Sequence, residues 1–120
     1  IVLPVGATGT AWWISVAACV DNLLHAASID DEATGARRVV QMPALHASMS
    51  AVVEALAGTY GADRRALVRF EPQEHVQRLF ASYPPLRTAR AEALGFHHDG
   101  DLDTLARRAT EMTTMDLTQG

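Results

Sequence analysis

Apolar residues recur three and four apart over Ser15–Ser28, where Val16, Cys19, Val20, Leu23, Leu24 and Ala27 share one stripe. That spacing predicts an amphipathic helix. Ser15 suits its N-cap, a hydroxyl answering a free backbone N–H. Met49, Val52, Val53 and Leu56 predict a second helix, capped by Ser48 and closed near Gly58 or Gly61. Pro72 opens a third that carries Val76, Leu79 and Phe80. Thr88–Leu94 reads as a short helix stopped by Gly95. Asp101 caps a last helix with Leu102, Leu105, Ala106, Ala109 and Met112 inward, and the tail after Met115 is expected to fray.

Strand signals are fewer. Ile1–Val5 is apolar but holds Pro4, which removes a ladder donor, so it reads as an edge strand or an extended entry segment. Arg37–Met42 reads as a strand ended by Pro43, and Ala66–Phe70 as another. Gly6–Gly9 is a loop, Asp30–Gly35 a polar turn, and Pro84-Pro85 a break. No repeat or low-complexity segment interrupts this order. The fold class expected is α/β, mixed and mainly helical, with two or three short strands and about five helices. The strands are too few for a doubly wound sheet.

A chain of 120 residues is most simply a single domain or domain fragment over 1–120. A hydrophobic share of 48% with 20% charged residues fits a globule with a core. The net charge of −4, with Arg pairs set among acids, argues against nucleic acid as a partner. No apolar run approaches the roughly 18 residues a membrane span needs. Cys19 is alone, so no internal disulfide or Cys-based metal site forms, and a cytoplasmic protein is expected. Cys19 is expected to be an inert core residue of the first helix, with His25 packed near that helix's end. The chain opens on Ile1 without a basic leader and reads as beginning within a protein.

Several constellations invite a chemical reading. Gly6-Ala-Thr-Gly9 after Val5, with Asp30 and Asp31 further on, resembles a dinucleotide-binding turn. Against it, Trp12 stands where a third small residue belongs and Pro4 interrupts the strand. His97-His98-Asp99 with Asp101 suggests a metal cluster, yet adjacent histidines rarely converge on one ion, and a loop with a capping Asp explains the acids. Glu71, Glu74 and His75 lack the His three residues ahead of the Glu that a reversed zinc motif needs, and acids in a first helical turn suit its dipole. No metal is expected. His46 and Ser48 read as a solvent-facing His and a cap.

One absence outweighs these motifs. All ten basic residues are Arg. Tyr60 and Tyr83, the only tyrosines, are followed four residues on by Arg64 and Arg87. Arg does not lose its proton and presents a wide fork, so neither pair makes a Tyr-Lys dyad.

Val2-Leu-Pro-Val5, then Trp12-Trp13-Ile-Ser15, then Val20-Asp-Asn-Leu-Leu-His-Ala-Ala27 form an ordered series. It continues through Arg37-Arg38-Val-Val-Gln-Met42-Pro43 and Ala89-Arg90-Ala-Glu-Ala-Leu94-Gly95-Phe96. The series resembles the C-terminal substrate-binding region of extended short-chain dehydrogenase/reductases, the NAD-dependent epimerase/dehydratase family, and is most like the D-erythronate dehydrogenase group. The resemblance implies a substrate domain, with the complete Rossmann domain absent and Gly6–Gly9 serving only as a turn. It implies that Trp12, Trp13 and Ser15 line the substrate pocket, one Trp packing and the other facing the ligand. It implies a sugar or sugar acid as substrate and NAD or NADP in the parent enzyme, with no catalytic or cofactor-binding residue in this chain. The partner is then a missing N-terminal dinucleotide-binding domain, docked on an exposed apolar face, with a homo-oligomer possible. The chain should not turn over by itself. A non-catalytic, self-associating interaction module is the competing expectation. Relatives hold an anionic substrate with Arg near the Trp segment; here Thr10, Ala11, Val16, Ala17 and Ala18 occupy those places, which implies a less charged substrate.

Overall fold

The computed structural model describes residues 1–110. Met112 and the segment after Met115, assigned above to the last helix and a frayed tail, lie outside the described residues. Chain order is β1 (Val2–Leu3), β2 (Thr10–Trp13), α1 (Val16–Ser28), a single turn α2 (Asp31–Thr34), β3 (Leu45–Ser48), α3 (Met49–Tyr60), a 3-10 helix over Ala62–Leu67, β4 (Arg69–Phe70), α4 (Glu74–Phe80), α5 (Ala89–Ala93) and α6 (Leu102–Arg108). The mixed, mainly helical α/β class holds.

The strands form two separate pairs. β1 runs parallel to β4, with Val2 opposite Arg69 and Leu3 opposite Phe70. β2 and β3 are antiparallel, with Thr10 opposite Ser48, Trp12 opposite His46 and Trp13 opposite Leu45. β2 and β3 escaped the sequence reading because each becomes a strand only through the other, pairing being what rewards an aromatic or β-branched residue in a strand. Arg37–Met42, expected as a strand, has no regular structure. Ala66–Phe70 is corrected too. Gly61, at φ +125°, turns the chain out of α3 into the 3-10 helix, and only Arg69–Phe70 pairs. Arg65 secures that turn by donating to both carboxylate oxygens of Glu54, each at 2.7 Å.

The caps follow local chemistry. Ser15, Ser48 and Asp101 each accept the backbone N–H three residues on, from Ala18, Ala51 and Thr104. α3 runs through Gly58 to Gly61. α4 starts at Glu74, with Pro72 in the segment ahead of it rather than in its first turn.

The apolar stripes do not all face the core. Val16, Leu23 and Leu24 of α1 are each more than half exposed, while Ala18 and Asn22 are buried. On α4, Leu79 and Phe80 are exposed. Ala109, placed inward on the last helix, is also exposed. Cys19 is exposed, not a core residue. What is buried is mostly small: Ala18, Ala55, Ala57, Ala81, Ala91 and Ala106, with Val5, Phe96 and Leu105. α6 packs on α3, and the Tyr60 hydroxyl at the end of α3 donates to the Ala106 carbonyl at 2.7 Å. The periodicity located an apolar face on α1, but that face meets solvent.

Candidate functional site

Ser15 ends β2's run into α1 and is 4% exposed. Its hydroxyl accepts from Ala18 N and donates to Asp99 Oδ1, while its own N–H donates to Asp99 Oδ2 at 2.8 Å. Asp99 is buried beneath Arg108, whose guanidinium lies 3.1 Å from its Oδ1 and 3.5 Å from Asp21. The start of α1 is therefore fixed by a residue 84 positions further along the chain. Two turns on, the amide of Asn22 donates to His97 O at 2.7 Å and accepts from His97 N at 3.0 Å. Asn22 is 2% exposed and every buried polar side-chain atom among the described residues has a partner. Loop 97–99 and α1 thus form one rigid unit.

β2 hangs on the same unit. Successive strand residues face opposite sides, so Trp12 and Trp13 diverge. Trp13 donates its indole N–H to Ala47 O at 3.1 Å, across the strand pair. Trp12 packs on Tyr83, ring centroids 4.7 Å apart, and its indole N–H donates to Pro84 O at 2.7 Å. His46 Nε2 donates to the Tyr83 carbonyl at 2.7 Å, and Thr10 donates to the same oxygen at 2.8 Å.

Between Trp12 and the exposed face of α1 lies an open cavity of about 230 Å³. Trp12, Ile14 and Leu86 form one side, Cys19, Asn22 and Leu23 another, and Gln41–Ala44 the third. The lining carries no charged side chain. Its two polar side chains both bond elsewhere through their amide nitrogens, Asn22 to His97 and Gln41 weakly to Met42 O. Such a surface encloses the apolar face of a small molecule and supplies little directional recognition.

Of the three residues singled out for the substrate, Trp12 lines this cavity, Ser15 lies buried beneath its edge, and Trp13 turns away from it. Sequence reasoning missed the Gln41–Ala44 wall, Leu86 and the Asp99–Arg108 brace. Pro43 carried a signal: it was read only as a strand terminator, yet it is fully buried.

Gly6–Gly9 makes a turn, Gly9 N–H bonding to Gly6 O at 3.0 Å. A strand follows it, not the helix that a pyrophosphate site requires. Its Gly6 N–H already donates to Gln77 Oε1 at 2.6 Å, and a Cβ on Gly9 would come within 2.7 Å of Ala81 Cβ. These glycines allow α4 to approach β2, and the dinucleotide-turn reading falls. In the His97–Asp99 loop, Asp99 holds Ser15 and His98 Nδ1 accepts from Gly100 N. Glu71, Glu74 and His75 are exposed, Glu71 pairing with Arg69. His25, in the last turn of α1, donates from Nε2 to Leu94 O at 2.6 Å and its ring meets Phe96 edge-on. Thr10 donates to Tyr83 O, and Ala18 is wholly buried.

No protein-family model matches this chain. It is 34% identical over 112 residues to D-erythronate dehydrogenase of Cupriavidus necator, a match that takes in 90% of this chain and 34% of that protein. Its fold superposes on the nucleoside-diphosphate-sugar epimerase of Agrobacterium tumefaciens with a TM-score of 0.83 and 34% identity, over 92% of this chain and 33% of the epimerase. The chain therefore spans about a third of the length of each. Likeness of sequence and of fold, running through nearly the whole chain, supports an epimerase/dehydrogenase-family C-terminal region.

Proposed function

We propose that this chain forms one wall of the substrate pocket in an NAD- or NADP-dependent sugar or sugar-acid dehydrogenase or epimerase. The observation that carries the reading is the apolar cavity walled by Trp12, α1 and Gln41–Ala44, standing open beside an uncovered apolar helix face. A carbon-rich face of a sugar chain packs against such a wall, as sugars do on aromatic rings. Hydroxyl and carboxylate recognition then falls to groups outside this chain, since the lining has no charge. The same holds for the chemistry. Hydride transfer is the cofactor's work, and a family member needs a Tyr whose phenolate is stabilised by a nearby Lys; this chain has no Lys. It orients substrate and excludes water, and does not turn over alone. The reading makes the protein cytoplasmic and its partner a dinucleotide-binding domain.

The test is to replace the matching C-terminal third of the Cupriavidus dehydrogenase with this chain and assay NAD reduction on a panel of sugar acids and neutral sugars. The expected result is turnover by the fused protein, a shift toward less charged substrates, and none by the 120-residue chain. Turnover by the isolated chain, or a fused protein that folds and binds NAD with an unaltered substrate range, would overturn the reading. The exposed apolar face of α1 also favours a second reading, a self-associating module. Sedimentation of the isolated chain decides it: a discrete dimer that buries Leu23 and Leu24 supports the module, and a monomer removes it.

A further inference from the structure

The cavity beside Trp12 discriminates by what it withholds. A hydroxyl leaves water without loss only where a protein group replaces the water, and these walls offer almost none. The Trp12 indole N–H donates to Pro84 O at 2.7 Å, which leaves the ring to line the space. Asn22 is committed at both ends of its amide, the nitrogen to His97 O and the oxygen to His97 N. Gln41 is exposed and keeps solvent at its amide, with a long contact of 3.4 Å to Met42 O. The Cys19 thiol is a weak donor and a weak acceptor. The surface that remains is almost wholly apolar, from Ile14, Leu23, Met42, Pro43, Ala44 and Leu86.

Size and rigidity say what kind of occupant fits. Sites that enclose a whole small ligand run to roughly 300–1,000 Å³, and this space is about 230 Å³. It therefore takes one end of a substrate. Its walls are set from within this chain: Trp12 by Pro84, the start of α1 by Asp99, and Pro43 by its complete burial. Ligand sites are largely formed before the ligand arrives. The polarisable sulfurs of Cys19 and Met42 adapt to the shape of a small apolar group.

We infer that the substrate places a deoxygenated end in this cavity, a terminal carbon without a hydroxyl, and that the cavity selects such substrates over their terminally hydroxylated counterparts. The inference rests on the function proposed above and narrows its substrate class. Hydroxyls elsewhere on the substrate meet groups outside this wall. An apolar pocket rejects an added hydroxyl by roughly a hundredfold and no more, so the selectivity is graded rather than absolute.

The test is kcat/KM of the fused dehydrogenase on matched pairs that differ only at a terminal carbon that is not oxidised. The pairs are a four-carbon sugar acid and its terminally deoxygenated partner, and a hexose and its terminally deoxygenated partner. In the pair that is turned over, the deoxygenated member should be favoured by about ten- to hundredfold. Cys19→Ser and Ala44→Ser each put a hydroxyl in the lining, and each should cut that preference by at least about threefold with KM for NAD unmoved. A preference that both variants leave intact would have its source elsewhere and would remove this cavity from the account. Ala44→Leu, which fills the space, separates the inference from the function beneath it. Equal rates on both members, or a preference for the hydroxylated one, with the sugar KM still raised by Ala44→Leu, would overturn the deoxygenated end and leave the substrate wall standing. Equal rates with the sugar KM unmoved would sink both and put a side chain from the rest of the enzyme in the cavity. If the fused protein does not fold, the same pairs are titrated onto the 120-residue chain. The Leu23 and Ala44 methyl resonances and the Trp12 indole should shift with the deoxygenated member at concentrations where the hydroxylated one leaves them in place. Equal shifts, or none with either, would overturn the inference.

Discussion

Ser15 shows how much one hydroxyl holds. It caps α1 and anchors Asp99, so Ser15→Ala loses a cap and leaves a buried carboxylate oxygen short of a donor. A destabilisation of about 1–3 kcal/mol is expected by urea unfolding; a loss within experimental error would mean that the Asp99 contact is incidental. Asp101 gives a pH signature. The Thr104 backbone N–H, with its side chain, holds the Asp101 carboxyl below its ordinary 3.8, and Arg107 helps. Glu54 is likewise held below 4.5 by Arg65. For both, the folded state favours the charged form, so their support is complete above the ordinary values and fades as pH falls toward the lowered ones. Asp101→Asn keeps a capping acceptor and has no carboxyl to titrate. Its stability should fall less than that of the parent between about pH 5 and pH 3; equal acid limbs would contradict the assignment. Ser15, Ser48 and Asp101 were legible as caps because a cap bonds three residues away. Asp99 was not, since its partner lies 84 residues back.

The elements were legible where local periodicity decided them and opaque where a distant partner did. α1, α3 and α5 lie close to where the spacing put them. β2 and β3 define each other across the cavity edge, and Trp12-Trp13 alone carries no alternation to read. Arg37–Met42 is the reverse case, a strand pattern with no ladder. Two glycines separate close approach from habit. Gly9 faces Ala81 Cβ at 2.7 Å and Ala81 O at 3.0 Å, so Gly9→Ala must push β2 from α4. It should cost about 1–3 kcal/mol. Gly58 sits inside α3 with nothing within 4 Å of a built Cβ. Gly58→Ala should raise stability by about 1 kcal/mol. Thermal unfolding of the two variants checks both signs, and a stabilising Gly9→Ala would mean the loop is not pinned by α4.

At the scale of the molecule, the alanine-rich core and the uncovered large side chains tell one story. The radius of gyration is 16.6 Å, against about 13–14 Å for a compact domain of this length. The body is a slab, 22 Å in its thinnest direction. Apolar Val16, Leu23 and Leu24 lie on one helix surface of it. Under the proposed function, a wall that meets a second domain takes this form: small residues within, large ones at the face. Leu24→Glu should improve the solubility of the isolated chain with little loss of stability, and should weaken assembly when the chain is joined to a dinucleotide-binding domain. A substitution that unfolds the isolated chain would instead place Leu24 in its own core. Sequence order revealed the family and the region of it. It did not reveal the cavity, whose walls come from Trp12, α1 and a segment that only the assembled fold brings together. The most direct test of the pocket is to fill it. Ala44→Leu lines the cavity without touching the Ser15–Asp99 brace. In the fused dehydrogenase, steady-state kinetics should show KM for the sugar substrate raised about tenfold or more with KM for NAD unchanged. An unchanged sugar KM, or a rise confined to NAD, would contradict the claim that this chain is the substrate wall.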